Sequence, residues 1–201
     1  MWDFFGGIRY INLADRPERR AETERQLAKF QIPAERFEGI RPMDKGKFPG
    51  IGIRGCVESH LALIRMARVF GWPNVLIFED DIEILNDFRL KIELIISYLK
   101  THPWDMFHFR TFQVRGKKCI EETVPLYQVA STLLTHAYVV NSTLYDKILS
   151  TDFNIALDHF YAKMIHPGSH ILAADLIEQN QSLSDVSKGW RKMNPRPNEK
   201  E

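Results

Sequence analysis

The chain has 201 residues, enough for one domain that buries a substantial core without disulfide staples. Its 27 basic and 26 acidic side chains nearly balance, which excludes a general electrostatic attraction to nucleic acid or to an anionic membrane. Two cysteines, Cys56 and Cys119, are too few for a disulfide framework or a cysteine-based metal cluster, and they read as reduced thiols of a cytoplasmic protein. Met1 to Gly7 lacks a basic region followed by a long apolar stretch, so no signal peptide is expected. No apolar run is long enough to span a bilayer, so no transmembrane segment is expected either.

Ile8 to Leu13 is mostly apolar and predicts a first strand. Pro17, tolerated in a first helical turn, opens a charged helix to Phe30 with a thin apolar stripe of Ala21, Leu27 and Phe30. Arg36 to Ile40 predicts a second strand. Pro42 to Gly55, rich in Gly, Pro and Lys, predicts a loop. That loop contains a literal G-x-G-x-x-G from Gly50 to Gly55. The dinucleotide fingerprint needs a buried strand just before it, and Asp44 to Pro49 is a poor one, so a Rossmann site is not expected. Cys56 to Phe70 has helical spacing, with Gly71 as its stop.

The most informative stretch follows. Val75-Leu76-Ile77-Phe78 is a continuous apolar run, as in a strand buried on both faces at the centre of an α/β sheet. Glu79-Asp80-Asp81 comes at once after it. Such a strand ends at the carboxyl edge, where open α/β sheets bind ligands. Three adjacent carboxylates repel one another, and a hard cation such as Mg²⁺ or Mn²⁺, shared with phosphate oxygens, would remove the conflict. A solvated acidic turn is the alternative reading.

Asp87 is placed to cap the next helix, with Phe88, Ile92, Ile95, Ile96 and Leu99 as its apolar stripe and Pro103 as its end. Trp104 to Arg110 reads as a strand, and Arg115 to Glu122 as a loop or hairpin tip. Tyr127 to Leu134 and Ala137 to Asn141 are strand candidates, Ser142 a cap for a helix to Leu149, and Asp158 to Ile165 another short helix. Ile171 to Ala174 is the last strand. The pattern predicts a single domain over 1–190 with a flexible tail, 191–201, and an α/β architecture with a mixed central sheet flanked by helices.

Several stretches, in order, resemble glycosyltransferase family 25, the group of lipooligosaccharide and collagen galactosyltransferases. They are Tyr10 to Arg20, Gly55 to His60, Val75 to Asp81 and Thr135 to Val140, with a weaker match at Leu157 to Phe160 and Gln181 to Val186. The resemblance implies a GT-A type fold, a UDP-linked hexose donor (galactose or glucose), a divalent cation, commonly Mn²⁺, and inversion at the anomeric carbon. It further implies a glycan acceptor, lipid-linked or on a surface polysaccharide, which leaves open a peripheral visit to the membrane surface. In that frame Asp81, Asp80 and His136 are the candidate metal ligands, with Asp80 also able to reach donor hydroxyls. Along an extended strand Glu79 and Asp81 would share one side and Asp80 the other. Asn12, Leu13, Arg16, Ser59 and His60 are candidate donor-binding residues, and Arg16 or Arg19 could face the diphosphate. Asp158 is the candidate base for the acceptor hydroxyl, with simple helix capping as its alternative. Two other functions remain open: a sugar-phosphate nucleotidyltransferase, disfavoured because Ile8 to Arg20 lacks glycine, and a non-catalytic domain that binds a sugar nucleotide or a partner.

Overall fold

The computed structural model describes residues 1–121 and 123–180. In chain order the strands are β1 (Gly7–Asn12), β2 (Glu35–Glu38), β3 (Asn74–Phe78), β4 (Ile82–Ile84), β5 (Met106–His108), β6 (Lys118–Glu121), β7 (Val124–Val129), β8 (Ala137–Asn141), β9 (Ile171–Ala173) and β10 (Ile177–Gln179). The α-helices are α1 (Pro17–Lys29), α2 (Ile51–Val69), α3 (Phe88–Leu99), α4 (Tyr145–Leu149) and α5 (Leu157–Phe160), the last continued by a π-helical turn, Tyr161–Ile165. The resembling stretch Gln181 to Val186 and the expected tail lie outside the described residues. Among the described residues no helix is long and apolar enough to cross a membrane.

Eight strands form one mixed sheet in the order β2-β1-β3-β8-β5-β9-β7-β6, and β4 and β10 form a separate antiparallel ribbon. β1 runs parallel to β2 and β3, whereas β8 runs antiparallel to both β3 and β5. The predicted central strand sits where expected, with every residue of β3 buried. Its side chains alternate between the two faces. Leu76 and Phe78 pack with α1 and α3, while Val75 and Ile77 pack with α2, α4 and α5. The result is a three-layer helix–sheet–helix core.

Local chemistry accounts for where the elements start and stop. Gly71 ends α2 as expected: its φ is +65°, its N–H donates to Arg68 O, and the Trp72 N–H donates to Ala67 O, the paired bonds of a Schellman cap. The loop expected to reach Gly55 instead stops at Gly50, and the glycine triplet opens α2. Gly55 is needed for packing, because a Cβ there would lie 2.6 Å from Ile40 O. Asp87 is the N-cap of α3 but makes no side-chain cap; its carboxylate is drawn to Lys91 instead. Asn141, not Ser142, caps the turn before α4, accepting from the Thr143 N–H. On α1, Ala21 is exposed and the buried face is Thr23, Gln26 and Leu27, followed by Phe30. The segment expected as a polar loop or hairpin tip at 115–122 contains β6, the first strand of a hairpin with β7, and the strand expected from Tyr127 to Leu134 begins at Val124 and ends at Val129.

Candidate active site

β1 and β3 lie side by side and parallel, so their carboxyl ends open on the same edge of the sheet. There α1 leaves β1, the acidic triplet leaves β3, and the start of α2 closes the third side. The three elements enclose a cleft of about 430 Å³ lined by Asn12, Leu13, Arg16, Arg19, Ser59, His60 and the triplet Glu79, Asp80 and Asp81.

The triplet is split between two environments. The β3 alternation continues through Glu79, which faces α2: its Oε1 accepts from Thr135 Oγ1 at 3.0 Å and lies 3.4 Å from His60 Nε2. Beyond it the chain turns, and the strict alternation expected for Asp80 and Asp81 is lost. Both reach one guanidinium, Arg19 of α1, at 2.6 Å from Asp80 Oδ1 and 3.1 Å from Asp81 Oδ2. Asn12 fixes Asp80 from β1, donating to its Oδ2 at 2.7 Å, and itself accepts from Arg36 Nε. Gln179 of β10 donates to Asp81 Oδ2 at 3.0 Å. Asp81 Oδ1 is buried and has no hydrogen-bond partner among the described residues.

Two of the three carboxylates thus share the Arg19 guanidinium, while the third is held by Thr135 and His60. Burial is the largest influence on Asp81 and, with the nearby Glu79 charge, outweighs Arg19, so its carboxyl is pushed up to about 7. Asp80 is also raised by burial, against the pull of Arg19 and Asn12. Glu79 goes the other way: burial works to raise it, but the hydrogen bond and charge of His60, with His136 and Thr135, hold it below the usual range. The cleft therefore pairs a carboxyl inclined to keep its proton with one inclined to lose it. Such contrasts mark sites that bind cations or move protons.

The remaining predicted residues occupy varied positions. Ser59 Oγ donates to Gly55 O and accepts from the Ile40 N–H, so its hydroxyl fastens α2 to the preceding loop. His60 is buried, with Nδ1 2.8 Å from the Tyr138 hydroxyl. His136 lies outside the cleft lining; its Nε2 donates to Ile177 O at 3.0 Å, and burial lowers its pKa. Asp158 is half-buried in the first turn of α5, and its Oδ1 accepts from the neighbouring His159 N–H. It too lies outside the lining, although its charge reaches Cys56. Cys56, Tyr138 and Gln179 were not singled out from the sequence. The i, i+4 spacing of Cys56 and His60 was a usable signal for the first; nothing local marks the other two.

No protein-family model matches the chain. Over 172 residues the chain is 23% identical to the probable inactive glycosyltransferase 25 family member 3 of Rattus norvegicus, an alignment covering 73% of this chain and 30% of that protein. The chain thus spans about three tenths of that relative's length. Solved structures of similar fold include the following two. A197 from STIV has a TM-score of 0.53 at 10% identity, over 89% of this chain and 86% of that one. A glycosyltransferase involved in glycosylation of the major capsid of PBCV-1 has a TM-score of 0.52 at 12% identity, over 89% and 93%. The fold is GT-A-like. In that fold class the cleft lies at the carboxyl edge of the sheet, which is where the acidic triplet sits here.

Proposed function

We propose that this domain is a glycosyltransferase that binds a nucleotide-sugar donor in the cleft between β1, β3 and α2. The observation that carries the reading is the Glu79-Asp80-Asp81 turn, which brings buried carboxylates and Arg19 together at the mouth of parallel strands. A nucleoside diphosphate is recognised by charge and by forked donors, and Arg19 with Arg16 line that mouth. The donor is a UDP-hexose, galactose or glucose, and the acceptor a glycan of a surface polysaccharide or its lipid-linked precursor, met in the cytoplasm or at the membrane surface.

A divalent cation, Mn²⁺ or Mg²⁺, fits the residues present, because Asp81 Oδ1 is a buried oxygen with no hydrogen-bond partner among the described residues. Asp81 would hold it first, and Asp80 would join if Arg19 moved to the diphosphate. His136 is a weaker ligand candidate, since its Nε2 is engaged with Ile177 O. The cation supplies Lewis-acid stabilisation of the departing diphosphate. The chain's own residues do the rest. Asn12 holds Asp80 in position, and Asp158 takes the proton from the acceptor hydroxyl as that oxygen bonds to the anomeric carbon and the sugar–diphosphate bond breaks. Inversion follows from attack on the face opposite the leaving group.

A second reading is a binding domain of the same fold without turnover. It is favoured by the position of Asp158, whose Oδ1 is engaged with its own helix outside the cleft lining, and by the clamping of both aspartates on Arg19. One experiment separates the two. The protein is titrated with UDP in the presence of Mn²⁺ by calorimetry, then incubated with UDP-galactose and UDP-glucose while free UDP is measured. Binding with UDP release supports the transferase. Binding without release, unchanged by Asp158→Asn, supports the second reading, and no binding defeats both.

A further inference from the structure

We infer that a second, chemically softer cation site lies deeper in the cleft, formed by Cys56, His60 and Glu79, and that it takes a divalent ion of the zinc type. The thiol, an imidazole nitrogen and a carboxylate oxygen lie within 4.8 Å of one another. Cys56 and His60 are four residues apart on α2, so the helix presents both on one face. Glu79 is brought opposite them by the β3 alternation. The helix is set at this depth by Gly55, whose missing side chain lets α2 close against Ile40 O, and by Ser59, which bonds both Gly55 O and the Ile40 N–H.

Sulfur, imidazole and carboxylate together suit zinc better than magnesium or manganese, which favour oxygen alone. Three protein donors facing a cleft leave a fourth position open, as in zinc sites that hold water or substrate. Zinc bonds of about 2.0–2.3 Å place ligand atoms about 3.3–3.8 Å apart; His60 Nε2 and Glu79 Oε1 already lie 3.4 Å apart and no pair exceeds 4.8 Å, so binding needs an inward movement of about 1 Å or less.

A further feature points the same way. The Tyr138 hydroxyl lies 2.8 Å from His60 Nδ1 and 3.3 Å from the Tyr161 hydroxyl. It can accept the Nδ1 proton while donating to Tyr161, so that Nε2, which now faces Glu79 at 3.4 Å, can give up its proton and bind an ion through its lone pair. That is the outer-sphere support metal-binding histidines commonly have. This site differs from the Asp80–Asp81 pair, whose oxygens Arg19 bridges.

The test is titration of the chelator-stripped protein with Co²⁺, which reports its ligands through its spectrum, followed by displacement with Zn²⁺. One equivalent should bind with a sulfur-to-cobalt charge-transfer band and the strong visible absorption of a four-coordinate ion. Cys56→Ser should abolish the charge-transfer band, and Cys56→Ala serves the same purpose if the serine variant fails to fold. Tyr138→Phe should weaken Co²⁺ binding by about 10- to 100-fold while keeping the band. A weak six-coordinate spectrum without the sulfur band, lost in Asp81→Asn, overturns this site and leaves the nucleotide-sugar reading intact. Absence of any Co²⁺ binding overturns it as well.

Discussion

Asp81 sits in the fold at an energetic cost, and that cost has a measurable pH signature. Its carboxyl is pushed up to about 7 from an ordinary 3.8, chiefly by burial and then by the charge of Glu79. An acid raised in the folded state keeps a proton that the unfolded chain releases. The folded state therefore binds more protons between about pH 4 and 7, and its stability falls as pH rises through that window. Three units at about 1.36 kcal/mol each give a ceiling of about 4 kcal/mol, fully expressed above pH 7. Asp81→Asn removes the titration. The amide oxygen can still accept from Gln179, and Arg19 keeps its shorter contact to Asp80. Losing the Arg19 contact returns part of the gain, so the variant should be more stable than the parent by about 1–3 kcal/mol at pH 8. The two should converge toward pH 4. The assay is urea unfolding followed by fluorescence of the four tryptophans, between pH 4 and 8 with EDTA present. A difference that stays flat across that range, or a variant less stable at pH 8, would refute the reasoning. The expected sign also has a functional meaning, since a residue retained against stability is one that the folded chain uses for something else.

Two further outcomes concern residues lining the same cleft. Arg19→Met leaves two buried carboxylates without their shared cation; it should destabilise the chelated protein by about 2–4 kcal/mol at pH 8, less at pH 5, by the same urea assay, and weaken UDP binding. Gly55→Ala would place a Cβ 2.6 Å from Ile40 O and 3.1 Å from Pro42 Cδ, backbone and ring atoms that cannot rotate away. The start of α2 must shift, costing about 1–3 kcal/mol in thermal or urea unfolding and lowering UDP affinity more than a surface substitution of similar stability effect.

Much of this arrangement was legible in the residues. The β3 run, the apolar stripe of α3 and the Gly71 stop are local signals, and each depends on periodicity or on backbone freedom at one position. What was not legible depends on partners far along the chain. β6 has almost no buried side chain; it exists because β7 turns back beside it at the sheet edge, so it carries no hydrophobic period. Asp87 and Ser142 have good capping chemistry, but Lys91 and Asn141 offered competing arrangements that only the folded chain reveals. In the site, the acidic triplet was visible from its position after a buried run. The grip of Arg19 on two of its members and the support from Gln179 were not, because these contacts join residues separated by about sixty to a hundred positions.

The place of β8 in the sheet bears on how the chain acquires its structure. It is wedged between β3 and β5, and β9 is likewise wedged between β5 and β7. During synthesis the earlier strands must wait, their apolar flanks unpaired, until residues 137–141 and then 171–173 emerge to fill the gaps. Assembly is thus governed by late, distant pairings, which slow folding and lengthen the interval in which β3 and β5 can join the wrong neighbour. For a cell making this protein, chaperone capture of the half-made chain matters as much as the strength of the finished core.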